Sequence, residues 1–530
     1  MTAVNSNAKK WALALLLAIP VFYLYGMHFF FHDASLKPTG FVQWEHMLYM
    51  CSAKEYITGN AALFYEWPIL NNFHSGPVFF QPQILLLGYL WKFTHASPGI
   101  IISAFGFVFA LLTLRVIIAI IEKISPGGKY NKLATLLFCW GGGILSICGM
   151  VLHFIFFKGT IHNIADNVFF LDPANGSWCL NFGRTLIYPL EAYYHFLFVS
   201  CIWLILQRKF LKTFFVMLLL IVSHPYTSIE IISITLTWIS IEYFYLRKNE
   251  IKKTDLIYIA TAFVLYFAYY GWFLNSLDIY KAINKLNALD WGYKAWHFIP
   301  AYALVWVMAF LAVKNPTLLK AHFSHSNNRL FFWWGAVAFI LSVHGFAIKP
   351  VQPIHFARGY VYAGFFLFSL PAIEASIRLL SAQKIKGFII LSVMTFIFLF
   401  DNLSWFVISS TGENENGVYF TKEKRDLVDF LKNTKTKGIV IGSEKNYELS
   451  SAIQLYTDYK AWIPHPFLTF DIDDKRKALD SLLTDGKLDA TWKSTNVYLY
   501  SDKNDSTLQQ PNLFFKKEFE NRQYIVYKIN

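Results

Sequence analysis

Gly40-Phe41-Val42-Gln43-Trp44-Glu45-His46-Met47-Leu48-Tyr49 is the first polar break in a chain otherwise built from long apolar runs between residues 11 and 408. An acid here, just past the first run, sits beside a bilayer. Ionisable groups in such places are costly to bury and usually face a cavity where they have work to do. A second acid, Glu191, opens another run in Arg184-Thr-Leu-Ile-Tyr188-Pro-Leu-Glu191. Working outward, 55% of the 530 residues are hydrophobic and 19% aromatic, and only 15% are charged. Soluble domains carry about 25% charge, and mean hydropathy is +0.38. The chain reads as an integral membrane protein. The net charge of +13 belongs to loop Lys and Arg, so no nucleic-acid partner is implied.

A spanning helix needs about 20 apolar residues. Runs at 11–31, 99–121, 133–156, 187–206, 212–223, 227–246, 255–274, 297–313, 330–346, 360–379 and 387–408 give about eleven spans. The run 77–96 carries two prolines, Gln81, Gln83 and Lys92; it reads as a helix at the interface or docked on the bundle. The run 212–223 reads as one arm of a hairpin ending at Ser223-His224-Pro225-Tyr226. Cations fall in alternate loops, among them Lys9-Lys10, Arg208-Lys209 and Lys384/Lys386. By the positive-inside rule those loops and the N-terminus are cytoplasmic. The other side then holds 32–98, 157–186, 276–296, 347–359 and everything after 409, in an inner (plasma) membrane.

Composition changes near residue 409. The expected organisation is a membrane domain 1–408, a linker 409–417 and an extracytoplasmic α/β domain 418–530. Strands are expected at 437–442 and 496–500, helices at 422–432 and 473–483, and a terminal hairpin around Asn521. Asp471-Ile-Asp473 reads as a helix N-cap. The cysteines show no metal spacing; Cys51 and Cys179, in polar breaks on one side, are the pair a disulfide would join.

Within the external segments, aromatic and apolar residues from Phe41 to Tyr56 recur at helical spacing. Glu45 and Tyr49 are then one turn apart. A carboxylate shielded by aromatics suits a general base acting on a hydroxyl. Arg184 offers a planar fork for a phosphate, with Tyr188 and Glu191 nearby in sequence. His224 precedes a proline that opens polar backbone at membrane depth. Gln352, His355 and Arg358 are spaced to share one face of a coiled segment, which fits a phosphate-sugar headgroup. Within the apolar runs, Glu230 and Glu242 stand isolated.

This layout resembles the GT-C glycosyltransferases, polytopic enzymes such as the bacterial aminoarabinose transferases and protein O-mannosyltransferases. The resemblance spans 11–408. It rests on a first span, a long external loop with Glu45…Tyr49, the continuation Ala53-Lys-Glu55-Tyr56 with Gly59, and the proline-led run from Pro82 to Leu90-Trp-Lys-Phe. It implies an inverting transfer of a sugar from a polyprenyl-phosphate donor to a glycan, lipid or protein acceptor at the external membrane face. Carried over residue by residue, the base is Glu45, with Asp33 its rival because the family more often has Asp there. The second acid is Glu191, and the donor phosphate falls to Arg184, His224, Arg358 and His355. Tyr49, Tyr188 and Gln352 would contact substrate. No motif calls for a cofactor or a protein metal site, and a divalent metal (Mg or Mn) stays open. A lipid or polysaccharide transporter or flippase and a non-catalytic assembly protein are the alternatives.

Overall fold

Each of the eleven apolar runs is helical in a computed structural model of the chain, though not every run is one straight span. The structure describes all residues except 1, 70–75, 175, 177, 180, 248–249, 288, 290–291, 412–416, 466–467, 490–491, 493–494, 505–514 and 530. Among the described residues, five helices are long and apolar enough to cross a membrane: Pro98–Ile124, Pro189–Leu206, Lys253–Ser276, Ile354–Ser381 and Lys384–Ser409. Three bent pairs raise the total to at most eight: Asn7–Leu17 with Ile19–Phe30, Asn131–Trp140 with Leu145–Ile155, and Ala295–Ala301 with Ala303–Val313. The expected count near eleven is therefore not reached by length and composition. The shortfall lies in the helices Phe210–Ser223, Pro225–Ser240 and Ser326–Ser342, of 14, 16 and 17 residues.

The chain divides into two compact units. One comprises Met1–Leu24, Gly106–Asn275 and Ala288–Asn414; the other comprises Tyr25–Phe105, Ser276–Asn287 and Glu415–Asn530. In the first unit, small residues let helices touch. A Cβ built on Gly364 would stand 2.3 Å from the Gly335 backbone nitrogen, so the helices Ser326–Ser342 and Tyr360–Ser381 cross there in backbone contact. Acids in the apolar runs have local employment. Asp401, in the last helix of this unit, accepts hydrogen bonds from the backbone N–H groups of Gly143 (3.0 Å), Leu145 (3.1 Å) and Ser146 (2.9 Å). It thereby satisfies orphan donors at the start of the helix Leu145–Ile155. Glu242 is not isolated as expected. Arg329 donates to it in a buried two-point pair, at 2.6 and 2.8 Å. Glu230 is buried with no hydrogen-bond partner for its carboxylate among the described residues.

The second unit joins the segment Tyr25–Phe105 to the C-terminal domain. Its five-stranded sheet runs Tyr459–Ala461, Gly438–Ile441, Asn496–Asp502, Tyr524–Ile529, Phe515–Glu520 in spatial order. The first three strands are parallel and the last two antiparallel. Side chains alternate across a strand. Val440 accordingly joins one core with Leu427, Leu431 and Ile453, while Ile439 and Ile441 join another with Leu479 and Leu482. Helices thus cover both faces: Lys422–Asn433 and Tyr447–Tyr456 on one, Ile472–Asp485 on the other. The hairpin turns at Asn521, whose carboxamide oxygen accepts from the N–H groups of Gln523 and Tyr524. Asp471 stands at the N-cap position but makes no side-chain cap bond, because its backbone there is left-handed (φ 50°).

The helix His46–Ile57 packs onto this domain. Lys54, in the helix His46–Ile57, donates to the carbonyls of Gln454 (3.0 Å) and Thr457, capping the C-terminal end of the helix Tyr447–Tyr456 where a cation is favoured. Gln454 in turn donates to the Pro68 carbonyl (2.8 Å). The helix Pro82–Thr94, with proline at its first turn, packs on the helix His46–Ile57 through Gly88 against Ala53 and Tyr56. It is not among the candidate spans. All five cysteines are free thiols, so Cys51 and Cys179 form no disulfide; Cys51 packs on the Ser451 carbonyl.

The Glu242–Arg329 pair gives a direct test of the first unit's packing. Glu242→Gln should cost roughly 3–5 kcal/mol by leaving a buried guanidinium without its counter-charge, whereas the double variant Glu242→Met with Arg329→Met should recover most of the loss. Thermal unfolding midpoints of the purified protein in detergent would read both.

Candidate functional site

Three segments of the first unit build one polar cluster. Pro189 opens the helix Pro189–Leu206 at a position where a missing N–H costs nothing, with Tyr188 as its N-cap. Glu191 then lies in the first turn, where the helix dipole favours a carboxylate. It is 8% exposed and forms an ion pair with Arg358. Arg358 caps the short helix Ile354–Ala357 and is followed by Gly359 at φ +81°. A Cβ on Gly359 would lie 2.5 Å from the Phe182 Cα, so only glycine lets the chain turn there into the helix Tyr360–Ser381. His195 locks the pair in place. One ring nitrogen is 2.8 Å from the Glu191 carbonyl, and the other is 2.9 Å from both the Arg358 carbonyl and the Thr185 hydroxyl. Its ring stacks on Tyr360 at 4.7 Å.

Beside this pair stand two imidazoles, each laid on a tyrosine. His224 ends the helix Phe210–Ser223 and starts the helix Pro225–Ser240. It stacks on Tyr194 at 4.3 Å, and His355 stacks on Tyr226 at 4.4 Å; the two imidazoles are 5.6 Å apart. The Thr227 N–H donates to His224 Nδ1 (3.3 Å), which leaves the proton on Nε2. His355 Nε2 donates to Gln352 Oε1 (2.6 Å). Gln352 is held in a left-handed turn (φ 43°) and its backbone N–H donates to the Leu289 carbonyl (3.1 Å). Arg358 retains 22% side-chain exposure. A guanidinium with five donors and two imidazoles thus lie in the same three segments, chemistry that fits a phosphate oxygen.

Glu191, His224, Gln352, His355 and Arg358 are thus brought together, and Tyr188 sits at the N-cap beside them. Arg184 is placed differently. It is 3% exposed, donates to the Gly176 carbonyl and lies over the rings of Phe169 and Trp405. In this position it braces its own loop, together with Asp172, whose carboxylate accepts from the N–H groups of Ala174 (2.8 Å) and Cys179 (2.6 Å).

In the second unit, Glu45 is the N-cap residue of the helix His46–Ile57. That helix starts later than the aromatic spacing from Phe41 suggests. Glu45 keeps 41% side-chain exposure, and His465 Nε2 lies 4.0 Å from its Oε1. Tyr49, half-buried, follows one turn on. Asp33 lies in an exposed bend where its Oδ1 accepts the Ser35 N–H (2.7 Å). The Ser35 backbone bond, then its hydroxyl, hold that carboxyl below its ordinary value, which makes Asp33 a weaker base than an ordinary carboxylate. Among the described residues no group of three or more His, Cys, Asp or Glu is arranged to hold a metal ion.

Three residues escaped the sequence analysis. His195 is four positions after Glu191, on the same helix face, and that spacing was the available signal. Asp401 is an acid inside an apolar run, the same signal that marked Glu191. His465 stands between prolines in a stretch that carries no periodic pattern.

No protein-family model and no curated protein matches the sequence. The fold, however, is shared with solved membrane glycosyltransferases. The structure of ArnT from Cupriavidus metallidurans bound to undecaprenyl phosphate superposes with a TM-score of 0.53 at 9% identity, covering 98% of this chain and 97% of that one. The oligosaccharyltransferase of Archaeoglobus fulgidus, solved with a tethered acceptor peptide and in the apo form, gives 0.52 at 10% identity, covering 93% of this chain and 69% of that one. The GT-C resemblance drawn from layout therefore holds at the level of fold.

Gly359→Ala tests the turn that presents Arg358. The left-handed backbone and the clash with Phe182 should cost about 1–3 kcal/mol. The expected result is a lower unfolding midpoint in detergent; an unchanged midpoint would show that the turn tolerates a side chain.

Proposed function

We propose that this chain is an inverting glycosyltransferase that moves a sugar from a polyprenyl-phosphate donor to an acceptor hydroxyl on the extracytoplasmic side of the membrane. The observation that carries the proposal is the Glu191–Arg358 pair flanked by His224 and His355, on a fold shared with an enzyme solved with undecaprenyl phosphate. The donor phosphate is assigned to Arg358, His355 and His224. Arg184 supports the loop 166–184, and Glu191 orients Arg358. The C-terminal domain lies outside and the N-terminus in the cytoplasm, as the alternation of loop cations supports.

The chemistry is a single displacement. The acceptor hydroxyl loses its proton to a carboxylate base, the role that the family resemblance carries onto Glu45, as its oxygen bonds to the anomeric carbon from the face opposite the phosphate. The bond from that carbon to the phosphate oxygen breaks, its electron pair leaves with the polyprenyl phosphate, and configuration inverts. Cations fixed where the negative charge grows lower the barrier without reorganising. Glu45 is preferred to Asp33 because the His465 Nε2 stands 4.0 Å from its Oε1, whereas the Asp33 carboxylate accepts the Ser35 N–H in an exposed segment. The sugar class, hexosyl or pentosyl, and the acceptor follow from the substrate pocket rather than from this pair.

Two variants separate the roles. Glu45→Gln keeps shape and removes basicity, so transfer by membrane vesicles carrying the full chain should fall roughly 10²–10⁴-fold while undecaprenyl phosphate still binds. Arg358→Gln should raise the barrier by about 2–4 kcal/mol and weaken binding of undecaprenyl phosphate, read by native mass spectrometry. Release of polyprenyl phosphate from a membrane-extracted donor pool measures transfer. Wild-type release by Glu45→Gln would remove the base assignment, and undiminished binding by Arg358→Gln would remove the phosphate site.

A further inference from the structure

The C-terminal domain brings a second group to Glu45. The loop after the strand Tyr459–Ala461 is tied at several points. The Trp462 N–H donates to the Val440 carbonyl (2.8 Å), the Ser451 hydroxyl to the Pro464 carbonyl (2.8 Å), and the His465 N–H to the Thr469 hydroxyl (3.2 Å). These bonds place the His465 imidazole, 3% exposed as a side chain, in a fixed orientation. The Leu468 N–H donates to Nδ1 (3.0 Å). Nδ1 is therefore the acceptor, and the proton of the neutral ring sits on Nε2, the atom that lies 4.0 Å from Glu45 Oε1. Trp44 packs on the imidazole with ring centres 4.8 Å apart, and Tyr447 packs on Trp44 at 4.5 Å. The other carboxylate oxygen of Glu45 accepts from the Gln43 carboxamide (3.3 Å).

We propose that His465 is a positioning residue for Glu45, a fixed N–H donor supplied by the C-terminal domain that orients the carboxylate and favours its ionised form. The inference rests on the reading of Glu45 as the general base. A movement of about 1 Å by the half-exposed carboxylate brings the pair to hydrogen-bond distance. Burial alone pushes the imidazole down to about 4, so His465 stays a neutral donor across the range in which a base must work. Among the described residues, Glu45 faces its Nε2 edge and Tyr447 stands behind Trp44. The C-terminal domain is then part of the reactive apparatus rather than an appendage.

The sign follows from the donor's preference. A hydrogen bond to a carboxylate favours the charged form, so losing it moves the acid limb of the transfer–pH profile to higher pH. Two variants divide the imidazole's bonds between them. His465→Asn keeps an acceptor near Nδ1 for the Leu468 N–H and loses the donor at Nε2. His465→Gln restores a donor near Nε2. In vesicles carrying the full chain, His465→Asn should move the acid limb up by roughly 0.5–1 pH unit, and His465→Gln should leave it at the wild-type position. Glu45→Gln is measured alongside. If Glu45→Gln is inactive and His465→Asn keeps the wild-type limb, or both His465 variants shift equally, the inference falls and the base assignment stands. If Glu45→Gln transfers normally, the base assignment falls and takes the inference with it.

Discussion

An ion pair inside a lipid-facing bundle decides how the first unit is arranged. Glu191 and Arg358 come from segments far apart in sequence, and neither could be buried alone without a large desolvation cost. Their pairing fixes the start of the helix 189–206 against the turn at 358–359. His195 then ties both backbones, reaching the carbonyl of each partner. Once that turn is set, Gly359 is forced and the helix Tyr360–Ser381 follows from it. The crossing at Gly335 and Gly364 holds that helix against its neighbour. Arg358 keeps 22% of its side chain exposed beside that turn.

A similar economy of buried charge runs through the rest of this unit. Asp401 gathers three backbone N–H groups, and Glu242 takes a two-point grip from Arg329. These acids are structural, because each has a full set of partners that a substrate would have to displace. The Glu191–Arg358 pair differs in keeping one side open. Arg184 shows why residue type is not enough. Its fork suits phosphate, yet burial and the Gly176 carbonyl commit it to its own loop.

Much of the fold was legible in the sequence. Apolar runs of spanning length can hardly be anything but helices, and strand-length runs after residue 409 marked the α/β domain, where Gly438–Ile441, Asn496–Asp502 and the hairpin at Asn521 all formed. Bends were not legible. Asn131–Trp140 and Leu145–Ile155 read as one run, and the 50° break between them depends on Asp401, contributed from far along the chain. The helix Tyr447–Tyr456 and the strand Tyr459–Ala461 also passed unread, because short amphipathic stretches lack a decisive period. In the candidate site, Glu191, His224, Gln352, His355 and Arg358 announced themselves as polar residues interrupting apolar sequence. His195 and His465 did not, since a histidine acquires its role from what it touches. The join between the helix His46–Ile57 and the C-terminal domain was equally hidden, since Lys54 looks like any surface lysine until Gln454 and Thr457 offer it their carbonyls.

The central claim is that the chain transfers sugar from a polyprenyl-phosphate carrier. Mass spectrometry of lipid-linked sugars and cell-surface glycans, in a strain lacking the chain and in one with it restored, tests this most directly. One polyprenyl-phosphate-linked sugar should accumulate in the deletion strain while the same sugar disappears from a surface glycan, and restoring the chain should reverse both. Unchanged pools of both would contradict it.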